Sequence, residues 1–232
     1  MHPDDFAYVD DVGPMRERWG LAKGANMAEG KRFAAVQLIA QAGGRLYDAN
    51  YDSRITEAVV ECKDLCYDYN QLRPSAYAER AAALRNIVGS MEEHATVVSP
   101  FWCDYGANIH LGENFYANHG LVILDGAPVT FGHDVYIAPN CVFSTAGHPF
   151  DTEQRNEGLE YALPITVGDN VWFGMGVLVC PGVTIGSDVV IGAGSVVTKD
   201  IPSGVVAVGN PCRVLRKITE ADARRYERWV AE

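Results

Sequence analysis

From Ile165 onward the chain repeats itself every six residues. Ile165-Thr-Val-Gly, Val171-Trp-Phe-Gly, Val177-Leu-Val-Cys, Val183-Thr-Ile-Gly and Val189-Val-Ile-Gly follow one another without a break. A short fixed period, with aliphatics at two positions and Gly usually behind the second, is satisfied when each six-residue strand stacks its apolar side chains on identical neighbours. Ordinary strands alternate with a period of two and their turns are unevenly spaced, so five matches in one frame predict a solenoid. The same phase holds at Phe131-Gly, Ile137-Ala and Phe143-Ser. From Phe143 to Val167 there are four whole periods, so the segment between them leaves the stack and returns in register. Leu111-Gly, Ala117-Asn and Ile123-Leu keep the period in a different frame, and the shift falls at Asp125-Gly-Ala, which predicts a bulge or corner loop. Three such strands per coil give roughly six coils between about Val97 and Val208, a triangular parallel β-helix.

The remainder of the chain reads differently. Residues 1–26 are polar, acidic and aperiodic, and are expected to form a flexible extension. Residues 27–92 are expected to form a helical cap, with helices at Ala28–Gly44, Ser53–Asn70 and Ser75–Val88; Pro74-Ser75 marks a helix start. Such a cap covers the apolar end that a stack of strands leaves open. The β-helix is assigned to 93–217, with 144–164 protruding, and 218–232 to a terminal helix beginning near Thr219-Glu-Ala-Asp.

Charge narrows the function classes. A formal net charge of −11 over 232 residues offers no basic stripe for nucleic acid or an anionic membrane. No apolar stretch approaches the ~20 residues of a membrane span, and Met-His-Pro-Asp-Asp lacks a basic start and an apolar run, so a cytoplasmic location is expected. The six cysteines, at 62, 66, 103, 141, 180 and 212, contain no CxxC pair and read as core filler. Cys62 and Cys66 lie four apart on an expected helix, but without a His pair nearby no metal site is expected.

Chemistry is expected where the period is interrupted. The run from Ser144 to Pro164 is long and polar, and it carries His148 between Gly147 and Pro149. An imidazole with a pKa near ~6.5 can take a proton from a hydroxyl at neutral pH, so His148 is the candidate base. The other histidines, at 2, 94, 110, 119 and 133, fall in the tail, the cap or on solenoid surfaces.

Several longer segments carry a resemblance. Trp102-Cys-Asp-Tyr-Gly-Ala-Asn-Ile-His-Leu-Gly-Glu-Asn-Phe-Tyr-Ala-Asn118, Ile137-Ala-Pro-Asn, Ala146-Gly-His-Pro, Pro164-Ile-Thr-Val-Gly, Pro181-Gly-Val-Thr-Ile-Gly, Ile191-Gly-Ala-Gly-Ser-Val-Val-Thr-Lys-Asp and Gly209-Asn-Pro-Cys-Arg-Val resemble the maltose and galactoside O-acetyltransferases. Met27-Ala-Glu-Gly-Lys and Gly44-Arg-Leu-Tyr-Asp resemble the helical cap of the maltose branch. The resemblance implies a left-handed β-helix, acetyl-CoA as co-substrate, and a homotrimer with active sites between subunits.

It also implies roles. His148 is then the general base for direct attack on the thioester, and Asn118 a donor to the acceptor oxygen or the developing oxyanion. Apart from the resemblance, Glu160 follows the histidine by twelve residues in Gly158-Leu-Glu-Tyr and is a candidate to orient the imidazole or grip the sugar. Acceptor contacts are Asp48, Asp104 and Tyr116, and carboxylates suit sugars because they accept charge-assisted hydroxyl hydrogen bonds. For acetyl-CoA, Trp172 offers a flat face on a solenoid flank, and the resemblance implies contacts at Met175, Ala193, Thr198, Lys199, Arg213 and Arg216, with Asn118 as a further candidate. The galactoside enzymes carry an acidic residue where this chain has Gly126, while Asp104 agrees with the maltose branch. Alternatives stay open at this point: an acetyltransferase acting on an antibiotic or other non-sugar hydroxyl, a γ-class carbonic anhydrase, which needs three histidine ligands that His148 lacks around it, or a non-catalytic relative.

Overall fold

The computed structural model describes residues 30–223 together with Arg225, Tyr226 and Trp229; the extension expected at 1–26 lies outside the described residues. Three helices open the chain: α1 (Lys31–Ala42), α2 (Ser53–Gln71) and α3 (Tyr77–Ile87). Gly43 ends α1 in the left-handed conformation, φ 59°, which a residue without Cβ adopts freely. Asp52 caps α2 by accepting from the Arg54 N–H, and Ile55, Ala58, Cys62, Cys66 and Tyr69 form its buried stripe.

The solenoid begins at Ser90 and makes five complete coils and a partial sixth. Its first face pairs, in parallel, Ser90–Met91, Ile109–Leu111, Val129–Phe131, Ile165–Val167 and Thr184–Ile185. The second pairs Thr96–Val97, Tyr116–Ala117, Tyr136–Ile137, Val171–Phe173, Val189–Ile191 and Val205–Val208; the third pairs Phe101–Cys103, Leu121–Leu124, Val142–Ser144, Leu178–Val179 and Val196–Val197. The six-residue frame is visible in the register, since Phe131 aligns with Val167, Ile137 with Phe173 and Phe143 with Val179. The period thus brings the chain back onto its own stack after the excursion.

Inside, Phe115, Phe131, Phe143 and Phe173 form a ladder with centroids 5.0, 5.1 and 5.2 Å apart. All four are buried, and truncating one ring to Ala would cost about 3–5 kcal/mol. Outside, the three faces differ. The first presents Ser90, His110, Thr130, Thr166 and Thr184 in one row. The second presents Tyr116, Tyr136, Trp172 and Val190, and the third presents Trp102, Val122, Val142, Leu178 and Val196.

A second apolar core joins the cap to one corner. Ala35, Val36 and Ile39 of α1 and Ile55 and Ala58 of α2 pack with Tyr105, Ala107, Ala127 and Ala162, all of which come from segments where the chain passes from the third face to the first. Arg32 is buried in the same place and donates to the carbonyls of Ile87, Tyr105 and Asn86.

The C-terminal end departs from expectation. The chain reverses after Asn210-Pro211, and Arg213–Lys217 runs antiparallel along Val205–Val208, so the solenoid closes with a hairpin that covers its last edge. The helix expected over 218–232 is reduced to one turn, α5 (Glu220–Ala223). Arg225, Tyr226 and Trp229 are not helical, and the remaining positions lie outside the described residues. Among the described residues no helix is long and apolar enough to cross a membrane.

Candidate active site

The corner between the third and first faces holds every insertion. In the first two coils it is filled by residues 104–108 and 125–128, and in the third by residues 145–164. The frame shift at Asp125 therefore is a corner loop, with a buried carboxylate at its centre. Asp125 Oδ1 accepts from the N–H groups of Asp104 and Tyr105, at 3.1 and 2.9 Å, and Oδ2 from that of Asn108 at 3.3 Å. Burial pushes its carboxyl up to about 6, against the opposing backbone donors. Asp125 thus fixes the loop that presents Asp104.

The long excursion is pinned as a small antiparallel sheet. Thr145 anchors its start, donating to Leu124 O at 2.7 Å and accepting from Ala127 N at 3.0 Å. Ala146–Gly147 then pairs with Tyr161–Ala162, and Leu159–Glu160 pairs with Tyr47–Asp48 from the cap. Asn50 Nδ2 donates to Gly158 O at 2.8 Å. A short helix, α4 (Thr152–Asn156), capped by Asp151, closes the far end.

This sheet gathers His148, Glu160, Asp48 and Asp104. The His148 ring is half exposed, its Nδ1 lies 3.2 Å from Leu159 O, and its Nε2 lies 3.6 Å from Glu160 Oε1. A carbonyl can only accept, so Nδ1 carries the proton and Nε2 keeps its lone pair. Burial pushes the Glu160 carboxyl up, opposed by the facing His148 and assisted by the negative charge of Asp104. Asp48 is exposed and accepts from the N–H groups of Asn50 and Tyr51 through Oδ1. Asp104 is paired with Lys63 Nζ at 3.0 Å. Tyr47 stands between these carboxylates; burial, then Glu160 and Asp104, push its phenol up, so it remains a donor.

The other residues singled out in the sequence lie elsewhere. Asn118 is at the corner between the second and third faces. Its Oδ1 accepts from the His119 N–H at 2.7 Å, which leaves the amide NH₂ to donate outward. Met175 and Ala193 occupy the same corner higher up, joined by Gly194 N–H to Met175 O at 2.8 Å. Tyr116 and Trp172 are exposed on the second face. Thr198 and Lys199 stand at the third-face corner above the site, and Thr198 Oγ1 is buried with no hydrogen-bond partner among the described residues. Arg213 and Arg216 lie on the terminal strand, where Arg216 makes two hydrogen bonds to Asp222, 2.7 and 2.8 Å. The residues singled out in the sequence thus fall mainly into two groups on one chain, an acidic one around His148 and another along the second face and its far corner.

Sequence reasoning passed over Tyr47, Asn50, Lys63 and Asp125. Tyr47 gave a signal as part of Gly44-Arg-Leu-Tyr-Asp48 and Asp125 as the point of the frame shift; Asn50 and Lys63 act through partners distant in the chain.

Comparison with known proteins bears on both the solenoid and the cap. Residues 164–199 match the bacterial transferase hexapeptide (six repeats), and residues 43–92 match the maltose acetyltransferase hexapeptide capping motif. An acetyltransferase of Saccharomyces cerevisiae is 54% identical over 180 residues, 78% of this chain and 92% of its own length. The galactoside O-acetyltransferase of Escherichia coli is 49% identical over 172 residues, 74% of this chain and 85% of its own. The solved structure of a galactoside acetyltransferase in complex with coenzyme A superposes with a TM-score of 0.78 at 41% identity, covering 89% of this chain and all of that one. The solenoid is a left-handed β-helix, and the chain belongs to the maltose and galactoside O-acetyltransferase family of hexapeptide-repeat enzymes.

Proposed function

We propose that this enzyme transfers the acetyl group of acetyl-CoA to a hydroxyl of a sugar or glycoside, with His148 as general base. The observation that carries the reading is the hydrogen bond from His148 Nδ1 to Leu159 O, which directs the unprotonated Nε2 into a corner lined by Asp48, Asp104 and Glu160. Nε2 takes the acceptor's proton as its oxygen attacks the thioester carbonyl. The CoA thiolate then leaves and takes that proton back from the imidazolium, which Glu160 stabilises while it exists. The carboxylates of Asp48 and Asp104 accept hydroxyl hydrogen bonds from the acceptor.

The outward NH₂ of Asn118 suits a donor to the oxyanion, a contribution typically worth ~3 kcal/mol, yet it lies at a different corner from His148. The third face runs between those two corners, and its outward row is apolar. A neighbouring copy seated on that face in a cyclic trimer would bring one chain's Asn118 toward the next chain's His148. CoA then lies along the second face, where Trp172 and Met175 are exposed, and the unmatched hydroxyl of Thr198 suits a polar group of the ligand. Arg213 of the same chain and Lys199 of the neighbouring copy, which stands at the His148 corner, suit its phosphates; Arg216 serves there only by sharing Asp222. A cytoplasmic enzyme has acetyl-CoA at hand.

The acceptor subsite favours the maltose branch. A Cβ at position 126 would lie 3.2 Å from Tyr47 Oη, so a phenol fills the space beside which galactoside enzymes carry an acid.

His148→Ala is expected to bind acetyl-CoA normally and to lose at least ~100-fold in kcat, since general-base catalysis supplies 10²–10⁴. Thiol release with a panel of glucosides, maltose and galactosides reads both the loss and the acceptor. Retention of most activity at neutral pH would refute the base, and a monomer mass by light scattering the shared site.

A further inference from the structure

The structure brings together three cysteines that the sequence scatters. Cys62 and Cys66 lie one turn apart on the buried face of α2, and Cys103 ends the first strand of the third face. Cys62 Sγ is 3.5 Å and Cys66 Sγ 3.6 Å from Cys103 Sγ, and all three sulfurs lie within 4.8 Å of one another. None is exposed to solvent. From these distances and this donor set we propose that Cys62, Cys66 and Cys103 form a three-sulfur site for one monovalent copper ion, bound between the cap and the first coil.

The donor set selects the class of ion. Among the described residues only sulfur is offered, with no imidazole or carboxylate completing the group, and thiolates alone favour soft ions. Coordination number then decides among them. Structural zinc closes on four ligands, whereas this pocket supplies three and is sealed from the water that could act as a fourth. Bonds of ~2.3 Å in a flat three-coordinate arrangement need sulfurs about 4.0 Å apart. The two closest pairs would part by about half an ångström, within the reach of small side-chain rotations.

Lys63, next to Cys62 on α2, brings a positive charge close to the end of the strand that holds Cys103, where it is paired with Asp104 at 3.0 Å. Each sulfur that binds releases its proton to solvent, and the copper stays monovalent throughout. Because the sulfurs are sealed, loading accompanies folding or local opening of α2. The ion would tie the cap to the strand that leads into Asp104, and the proposal does not depend on the acyl-transfer reading.

The test uses the full, reduced chain under anaerobic conditions, with monovalent copper added to native protein and during refolding, in competition with bicinchoninate. The expected result is one copper retained per subunit by either route, with a thiolate-to-copper absorption band in the ultraviolet. Cys66→Ala and Cys103→Ala should each weaken retention at least ten-fold, while Cys180→Ala should not. Should those variants fold poorly, alkylation of wild-type protein in partial denaturant, where the buried thiols open, decides: copper must slow modification of Cys62, Cys66 and Cys103 relative to the copper-free chain and leave Cys180 reactive. Three outcomes overturn the site: retention unchanged in Cys66→Ala, zinc retained in preference to copper, or copper that leaves the three thiols unprotected, as expected of small apolar side chains that only fill a core.

Discussion

Two corners of the same solenoid obey opposite rules. Between the first and second faces each of the five complete coils turns alike: His94, Asn114, Asp134, Asn170 and Asp188 all take the left-handed conformation, φ 55–58°. Asn114 donates to Asp134 and Asn170 to Asp188, so the turns are laced side chain to side chain. Between the third and first faces the turns in the first three coils differ, and the longest carries His148. The difference shows where a stack tolerates individuality. A turn packed only on its copies must match them, whereas the third-face corner packs on α1 and α2, whose apolar surface accepts irregular segments.

Substitutions can break this contrast in graded steps. Asp125 anchors the irregular corner, and its folded pKa of about 6 lies above the ordinary aspartate value of ~4. The folded state therefore holds that proton more tightly than the unfolded chain. Stability from this group is greatest below ~4 and is lost as pH rises through about 6. Asp125→Asn should remove a dependence on the order of 2–3 kcal/mol, seen as a wild-type advantage in urea unfolding that grows from pH 7 toward pH 4. A difference independent of pH would show that the anchor is not titrating.

A smaller effect is expected at Glu160, whose Oε1 faces His148 Nε2 at 3.6 Å. Glu160→Gln should reduce kcat roughly ten-fold with KM for acetyl-CoA unchanged. An unchanged kcat would reduce Glu160 to a structural strand residue. At the regular corner the expectation reverses. Asn170→Ala should cost about 1 kcal/mol for a Cβ-bearing residue at positive φ, and Asn170→Gly less, with kcat unchanged in both. A marked loss of kcat there would mean that the corners are coupled.

The same contrast explains what was legible in the sequence. Six-residue spacing is a local signal, so the faces, the bulge at Asp125, the cap helices and the site of the excursion could be read directly. His148 stood out because it interrupts that period. Pairings made across the fold left no local mark: Glu160 beside Tyr47, Lys63 against Asp104, and Cys103 against Cys62 and Cys66. The terminal hairpin was missed for a related reason, since Arg213-Val-Leu-Arg-Lys217 lacks the glycine rhythm of the strands it covers. Nor could spacing show that Asn118 and His148 occupy different corners, because corner position depends on how many residues each coil spends turning.

The small sheet that joins cap to excursion also sets an order of assembly. Neighbouring coils meet residues 16 to 36 positions apart, as at Val190 with Val206 and Phe131 with Val167. The bond from Asn50 to Gly158 spans 108. Closing so long a segment as free chain carries a larger entropic cost than adding a coil, and slow folding follows contacts distant in sequence. The coils therefore form first and shorten the gap for the cap strand. On refolding, the far-ultraviolet signal of the strands should return before acetyl transfer does, and simultaneous recovery would show that the cap docks while the stack is still growing.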